Sequence, residues 1–164
     1  MVYELHNDSS LTKARESKTH LHMQNIFSDT VTWDESFEYM TEVVEEDSPV
    51  RIGKFFTIIT HTAHHHIDKV KAICNQIQQL KNRDANIDIA DAHMHMGLTA
   101  KSESIGKHHD DCEVIFWQCI GQTEWTVDDN STYILSPGDC LYIPKGMMHE
   151  VKSLSPRMGI SFGF

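Results

Sequence analysis

What is absent narrows this sequence first. It holds no run near the ~18 apolar residues that a membrane-spanning helix requires, so no membrane partner is expected. The opening segment, MVYELHNDSSLTKARESKTH, lacks the basic stretch and apolar core of a secretory leader, and a cytoplasmic protein is expected. Basic residues are scarce: 14 Lys and Arg stand against 24 Asp and Glu, a net charge of −10 with histidine neutral. A protein held to nucleic acid by phosphate contacts needs a basic surface, so nucleic acid is not an expected partner. The four cysteines, Cys74, Cys112, Cys119 and Cys140, show no CxxC spacing. They read as small buried apolar residues rather than as disulfides or a zinc cluster. Internal repeats and low-complexity segments are missing too.

What is present fits one domain over residues 1–164, with 40% hydrophobic and 23% charged residues, as in ordinary globular proteins. Residues 1–30 are polar without a sustained period and read as an irregular arm. Residues 31–85 read as helical decoration with one strand. Thr32-Trp-Asp-Glu35 has the form of a capping box, and Trp33, Phe37, Met40 and Val44 recur at helical spacing. A helix over 33–46 follows, ended before Pro49. The run KFFTIIT (54–60) is β-branched and aromatic and predicts a strand. From Ala63 to Asn82, the positions Ile67, Val70, Ile73, Cys74, Ile77 and Leu80 mark one face of an amphipathic helix. A polar linker, NRDANID, comes next.

Residues 91–164 read as short strands separated by turns, at 91–99, 112–119, 122–128, 131–135, 139–143, 149–153 and 157–163. Asp128 to Ser131 has hairpin-turn composition, and Ser136-Pro-Gly-Asp139 combines a fixed φ at Pro with a permissive Gly. Strands this short and this regular predict a mainly β fold, a sandwich or barrel, with two helices ahead of it.

Twelve histidines are many for this length, and Lys107–Gly121, KHHDDCEVIFWQCIG, places two of them beside two aspartates. On a strand, residues i and i+2 share a face. Either His108 with Asp110 or His109 with Asp111 can therefore converge, and His149, at the start of a later strand, can add a third donor. Two histidines and a carboxylate leave about three coordination positions open, the facial arrangement of non-haem Fe(II) oxygenases. The plainer alternative is a polar strand start with one packed histidine. Three ionisable groups buried together without a metal would be costly, which disfavours a metal-free core.

The segments GKHHDDCEVIFWQCIGQTEW and LSPGDCLYIPKGMMHEV together resemble the double-stranded β-helix oxygenases of the JmjC and cupin-like type. That family runs His-x-Asp, an apolar strand, Gln-x-x-Gly and Trp, then Gly-Asp-x-Leu-Tyr-Ile-Pro-x-Gly and a distal His. Gln118, Gly121, Trp125, Gly138, Asp139, Leu141, Tyr142, Ile143, Pro144, Gly146 and His149 occupy those places. The resemblance covers residues 92–164 and implies a cupin-like jelly roll over 91–164. Counted back from Gly121, the family's His-x-Asp falls on His108 and Asp110, with His149 as the distal histidine and His109 and Asp111 facing away. A cupin set with a following glutamate fits worse, because Glu113 lies only three residues past Asp110.

The same resemblance implies Fe(II) as metal, 2-oxoglutarate as co-substrate, and hydroxylation of a small-molecule or protein substrate. The far carboxylate of 2-oxoglutarate would need a cation, and Arg157, eight residues after His149, resembles the arginine of many such oxygenases. The JmjC-like branch instead carries a basic residue after Gln-x-x-Gly, where this chain has Thr123 beside Glu124. Gln118 and Tyr142, with Trp117 and Trp125, are candidates to line the pocket. The position of Thr123 favours a competing function, a metal-dependent cupin enzyme without 2-oxoglutarate; a third is a non-catalytic metal-binding jelly roll.

Other histidines carry weaker signals. His61-Thr-Ala-His64-His-His66 could hold a second metal, although a solvated helix start is the simpler account. In Ala92-His-Met-His-Met96 the methionines are expected in the core and His93 and His95 outward; the reverse would bring a histidine to the barrel pocket. His6, His20 and His22 lie in the arm and suggest nothing specific. Exposed jelly-roll edges are often covered by pairing, so a homodimer is expected.

Overall fold

Strand alternation decides which side chains of this chain line a barrel and which meet a layer of helices. The structure, a computed structural model, describes residues 3–45, 50–53, 57–81, 91–128 and 130–164. A 3-10 turn, Leu5–Asn7, leads into α1 (Ser9–Ser17) and β1 (Leu21–Met23). The Asp8 carboxylate caps α1, accepting from the backbone N–H of Ser10 at 2.7 Å and of Leu11 at 2.9 Å. Leu5 and Leu11 are fully buried, and β1 pairs with the strand Cys140–Ile143. The expected irregular arm over 1–30 is therefore corrected to a docked helix and strand. With so few apolar residues in so short a helix, no period could show.

α2 (Trp33–Glu45) starts at the expected capping box: the Thr32 N–H donates to Glu35 Oε2 at 2.8 Å, and the Glu35 N–H donates to Thr32 Oγ1 at 3.3 Å. Its buried face is Ser36, Tyr39 and Val43, whereas Phe37 is 51% exposed and stacks on Trp33. β2 (Val50–Gly53) and β3 (Thr57–Thr60) form an antiparallel pair, two strands in place of the one expected over 54–60. The first three residues of that expected strand lie outside the described ones, as does the linker at 82–88. The single helix expected from Ala63 divides into α3 (Ala63–His66) and α4 (Asp68–Lys81), because Ile67 is extended. All six apolar positions of its expected face are buried.

The remaining strands fall where the turn chemistry predicts: β4 (Ala92–Gly97), β5 (Val114–Ile120), β6 (Thr123–Val127), β7 (Thr132–Leu135), β8 (Cys140–Ile143), β9 (His149–Ser153) and β10 (Arg157–Gly163). They form a seven-stranded sheet ordered β1-β8-β5-β10-β4-β3-β2 and a three-stranded sheet ordered β7-β6-β9. This is the expected jelly roll, with four α-helices ahead of β4 rather than two. At Ser136–Asp139 the Asp139 N–H donates to the Ser136 carbonyl at 2.9 Å, and Gly138 takes φ +94.

Alternation then splits the apolar residues in two. Met94 and Met96 of β4, Ile115 and Trp117 of β5, and Ile160 and Phe162 of β10 pack with the helices. Val114 and Phe116 of β5 and Leu141 and Ile143 of β8 face Trp125 and Leu135 of the smaller sheet. Each such side chain, fully buried, contributes roughly 1.5–3 kcal/mol. Gly121, from the Gln-x-x-Gly segment, turns the chain between β5 and β6 with φ +67, and a Cβ there would lie 2.0 Å from the Pro156 carbonyl oxygen. Gly121→Ala is expected to destabilise the fold by more than about 2 kcal/mol, read as a lower urea midpoint at unchanged slope.

Candidate metal centre and its pocket

His108 sits in the loop before β5, and His149 is the first residue of β9. Their backbones form an isolated antiparallel bridge, with N–H to carbonyl distances of 3.0 Å and 2.8 Å in the two directions. Residues so paired point to one side of the ladder, and the two imidazole centroids lie 4.3 Å apart. Asp110 follows at i+2, in a loop rather than on the strand itself. Its backbone is held by the Gly146 N–H, which donates to the Asp110 carbonyl at 2.9 Å. Asp110 Oδ2 stands 3.5 Å from His149 Nε2, and Oδ1 stands 3.9 Å from His108 Nε2. One ligand atom from each of the three falls within 4.8 Å of the others. His109 and Asp111 are exposed.

The hydrogen bonds on the far side of each ring determine what these atoms can do. His108 Nδ1 lies 2.8 Å from the Gly106 carbonyl, and His149 Nδ1 lies 3.1 Å from the Met147 carbonyl. A carbonyl only accepts, so each neutral imidazole must carry its proton on Nδ1 and present a lone pair at Nε2. Burial favours the neutral form of His149, holding it below its ordinary value against the pull of the Met147 carbonyl. In these tautomers two lone pairs and a carboxylate face one another, an arrangement suited to a divalent cation. Backbone partners on Nδ1 are also what orients histidine ligands in metal sites. The donor set fits a transition metal bound by two nitrogens and one carboxylate with open positions.

These three residues line an interior cavity of about 90 Å³ between the two sheets. Phe116 and Val114 of β5, Trp125 of β6 and Val151 of β9 give it apolar walls, with the Trp125 ring stacked on His149. Arg157, at the start of β10, lines it with only 2% of its surface exposed. Its Nε donates to Ser153 Oγ at 2.9 Å, and among the described residues no carboxylate pairs with it. Burial lowers the guanidinium to about 10, so it stays charged at neutral pH. His95 faces the same space and is pushed down to about 3 by burial, with Arg157 and His93 adding, so it is neutral.

The other expected pocket residues are not brought there. Tyr142 points to the helix side of the large sheet, where its hydroxyl donates to Glu113 Oε1 at 2.6 Å. Trp117 packs on that same side. Gln118 is buried, but its amide is used internally: Nε2 donates to the Ile120 carbonyl at 2.7 Å, and Oε1 accepts from Thr123 Oγ1 at 2.7 Å. Thr123 Oγ1 in turn accepts from Trp125 Nε1 at 3.0 Å. His93 and His95 line the cavity instead. The methionines do lie in the core as expected, but that core is the helix layer, and the opposite face of β4 is the barrel interior rather than solvent. Alternation at 92–96 contained both answers, and what it lacked was the second sheet.

Comparison with known proteins agrees with this fold. The JmjC domain family model matches residues 128–164. No curated protein matches by sequence. Among solved structures, the Escherichia coli ribosomal oxygenase YcfD in complex with cobalt and 2-oxoglutarate superposes with a TM-score of 0.72 at 20% identity, covering 93% of this chain and 50% of that one. A second YcfD structure gives 0.74 at 20% identity, covering 100% of this chain and 54% of that one. A Pseudomonas putida prolyl-4-hydroxylase gives 0.58 at 13% identity, with 94% and 97% covered. The chain spans about half the length of the YcfD structures it matches. The fold resemblance to the JmjC and cupin-like class is thus borne out.

The Thr123 hydroxyl serves both Gln118 and Trp125, so removing it leaves two buried polar groups unpaired. Thr123→Ala is expected to cost about 1–3 kcal/mol in chemical denaturation while leaving metal content unchanged.

Proposed function

We propose that this JmjC-like chain is a non-haem Fe(II) oxygenase that uses 2-oxoglutarate to hydroxylate a C–H bond of a small-molecule or protein substrate. One observation carries the reading: a buried arginine without an acidic partner among the described residues shares a small cavity with a two-histidine, one-carboxylate cluster. A charged group kept from water at such cost calls for an anion. A cavity offering a metal position and a guanidinium suits a dicarboxylate that binds at both ends. The YcfD structures with cobalt and 2-oxoglutarate, and with cobalt and succinic acid, support the same ligand class.

When bound, Fe(II) supplies the oxidative chemistry, in which 2-oxoglutarate and O₂ yield succinate and CO₂ while one oxygen atom enters the substrate C–H bond. The chain's own residues bind and orient. His108, Asp110 and His149 would hold the metal through Nε2, carboxylate and Nε2. Arg157 takes the far carboxylate, aligned by Ser153. His95, neutral beside Arg157, adds a polar group without competing for the anion. Phe116, Val114, Val151 and Trp125 keep water from the reacting face.

Thr123 supports this placement of the anchor. The family's basic position is here a hydroxyl committed to Gln118 and Trp125, so the cation is supplied from β10 instead. The substrate approaches past Ile59, Ser104 and Ile105, of which Ile105 is 61% exposed. Cytoplasmic residence and a homodimer belong to the same reading, with sheet edges at β2 and β7 available for pairing. Among the described residues no helix is long and apolar enough to cross a membrane.

Protein purified anaerobically is expected to bind one Fe(II) or Mn(II) at this cluster, and Asp110→Ala to lose it. With Mn(II) bound, 2-oxoglutarate is expected to raise the melting temperature by ~5–11 °C at a hundredfold excess over its Kd. Arg157→Ala should abolish that shift while Mn(II) still binds. Should 2-oxoglutarate leave the Mn(II)-loaded wild type unshifted, the co-substrate assignment fails and the cupin enzyme without 2-oxoglutarate takes its place.

A further inference from the structure

A second group of donors lies where β3, α3 and the start of β4 meet. Asp91 Oδ2 is 2.9 Å from His61 Nδ1 and 3.1 Å from His93 Nε2, and the two imidazole centroids are 4.1 Å apart. One ligand atom from each falls within 4.8 Å of the others. Two donors on a tetrahedral ion with bonds of ~2.0–2.1 Å are about 3.3 Å apart, close to the spacings already present. The carboxylate is oriented from behind, as its Oδ1 accepts from the Thr62 N–H at 2.7 Å. Thr62 takes the left-handed conformation, φ +65, and so turns the chain between His61 and His64.

His64 is the independent sign. Its Nδ1 is buried and has no hydrogen-bond partner among the described residues, yet stands 3.9 Å from Asp91 Oδ1. Leaving a buried imidazole nitrogen unpaired is costly, and the hydrogen bonds among His61, Asp91 and His93 do nothing to satisfy it.

We propose that His61, Asp91 and His93, with His64 as the fourth donor, form a second metal site that takes a divalent transition-metal ion of the zinc type. Three imidazoles and one carboxylate suit a borderline ion, and four protein donors close the coordination shell, which marks a structural rather than a catalytic site. His64 sits on α3 and His93 on β4, so the ion pins the helix layer to β4. His93 also lines the oxygenase pocket, and the ion thereby fixes one of that pocket's walls. The site shares no ligand with the first cluster and stands independently of the oxygenase reading.

The test uses the full chain stripped with chelator and reloaded with Zn(II), in an Asp110→Ala background that disables the first cluster. That variant is expected to retain about one Zn(II) per chain through gel filtration, read by elemental analysis, and to lose it on adding His61→Gln and His64→Gln. Wild-type protein titrated with Co(II) should develop the intense visible bands of a tetrahedral ion, a readout needing no variant. Chelation of the Asp110→Ala chain should lower its melting temperature by about 5 °C. An Asp110→Ala chain that holds no Zn(II), together with only weak six-coordinate Co(II) bands in the wild type, overturns the proposal. Wild type and Asp110→Ala binding the same amount of metal counts against the first cluster and leaves this one standing.

Discussion

Two backbone hydrogen bonds between His108 and His149 set where the candidate metal ligands meet. They tie the loop before β5 to the start of β9, which is itself paired with β6. Because a bridged pair must share a side, the contact brings both imidazoles to one point irrespective of the loop's own irregularity. Asp110 then needs only the carbonyl contact to Gly146 to join them. The site is thus positioned by main-chain bonding, which side-chain substitutions elsewhere disturb little, and a loop can carry precise geometry because a strand end dictates it.

The barrel interior is polar at a cost. His95 and Arg157 occupy positions that in an ordinary sandwich would be aliphatic, and neither has a carboxylate partner among the described residues. The stability forgone there is recovered on the other side of the large sheet, where methionines, aromatics and aliphatics of β4, β5 and β10 pack under helices α1 to α4. The helices are therefore not ornament. They give the sheet a second apolar face, so that its first can be spent on chemistry.

Much of this was legible in the residues. The strands from β4 to β10 follow from turn chemistry, and the His108, Asp110 and His149 grouping follows from a spacing that the resemblance then placed. Arg157 is expected from the need of a dicarboxylate for a cation, and the structure buries it against the same cavity. The failures share one physical origin: periodicity reports that a residue faces something, not what it faces. Tyr142 alternates correctly but on the helix side, and His93 and His95 alternate correctly but toward a cavity rather than solvent. The N-terminal segment was misread for another reason, since Leu5 and Leu11 are buried by distant partners and no local pattern announces that. Trp33, Phe37 and Met40 keep a helical period, yet Tyr39 and Val43 are the buried apolar residues of α2 while Phe37 is exposed.

β4 is a partition with oil on one side and a polar cavity wall on the other: Met94 and Met96 against His93 and His95. A displacement of one residue along this strand would exchange the two sets, driving imidazoles into the apolar layer and thioethers into the polar cavity. The apolar layer and the cavity wall thereby depend on the same pleat. An insertion or deletion here would disturb both together.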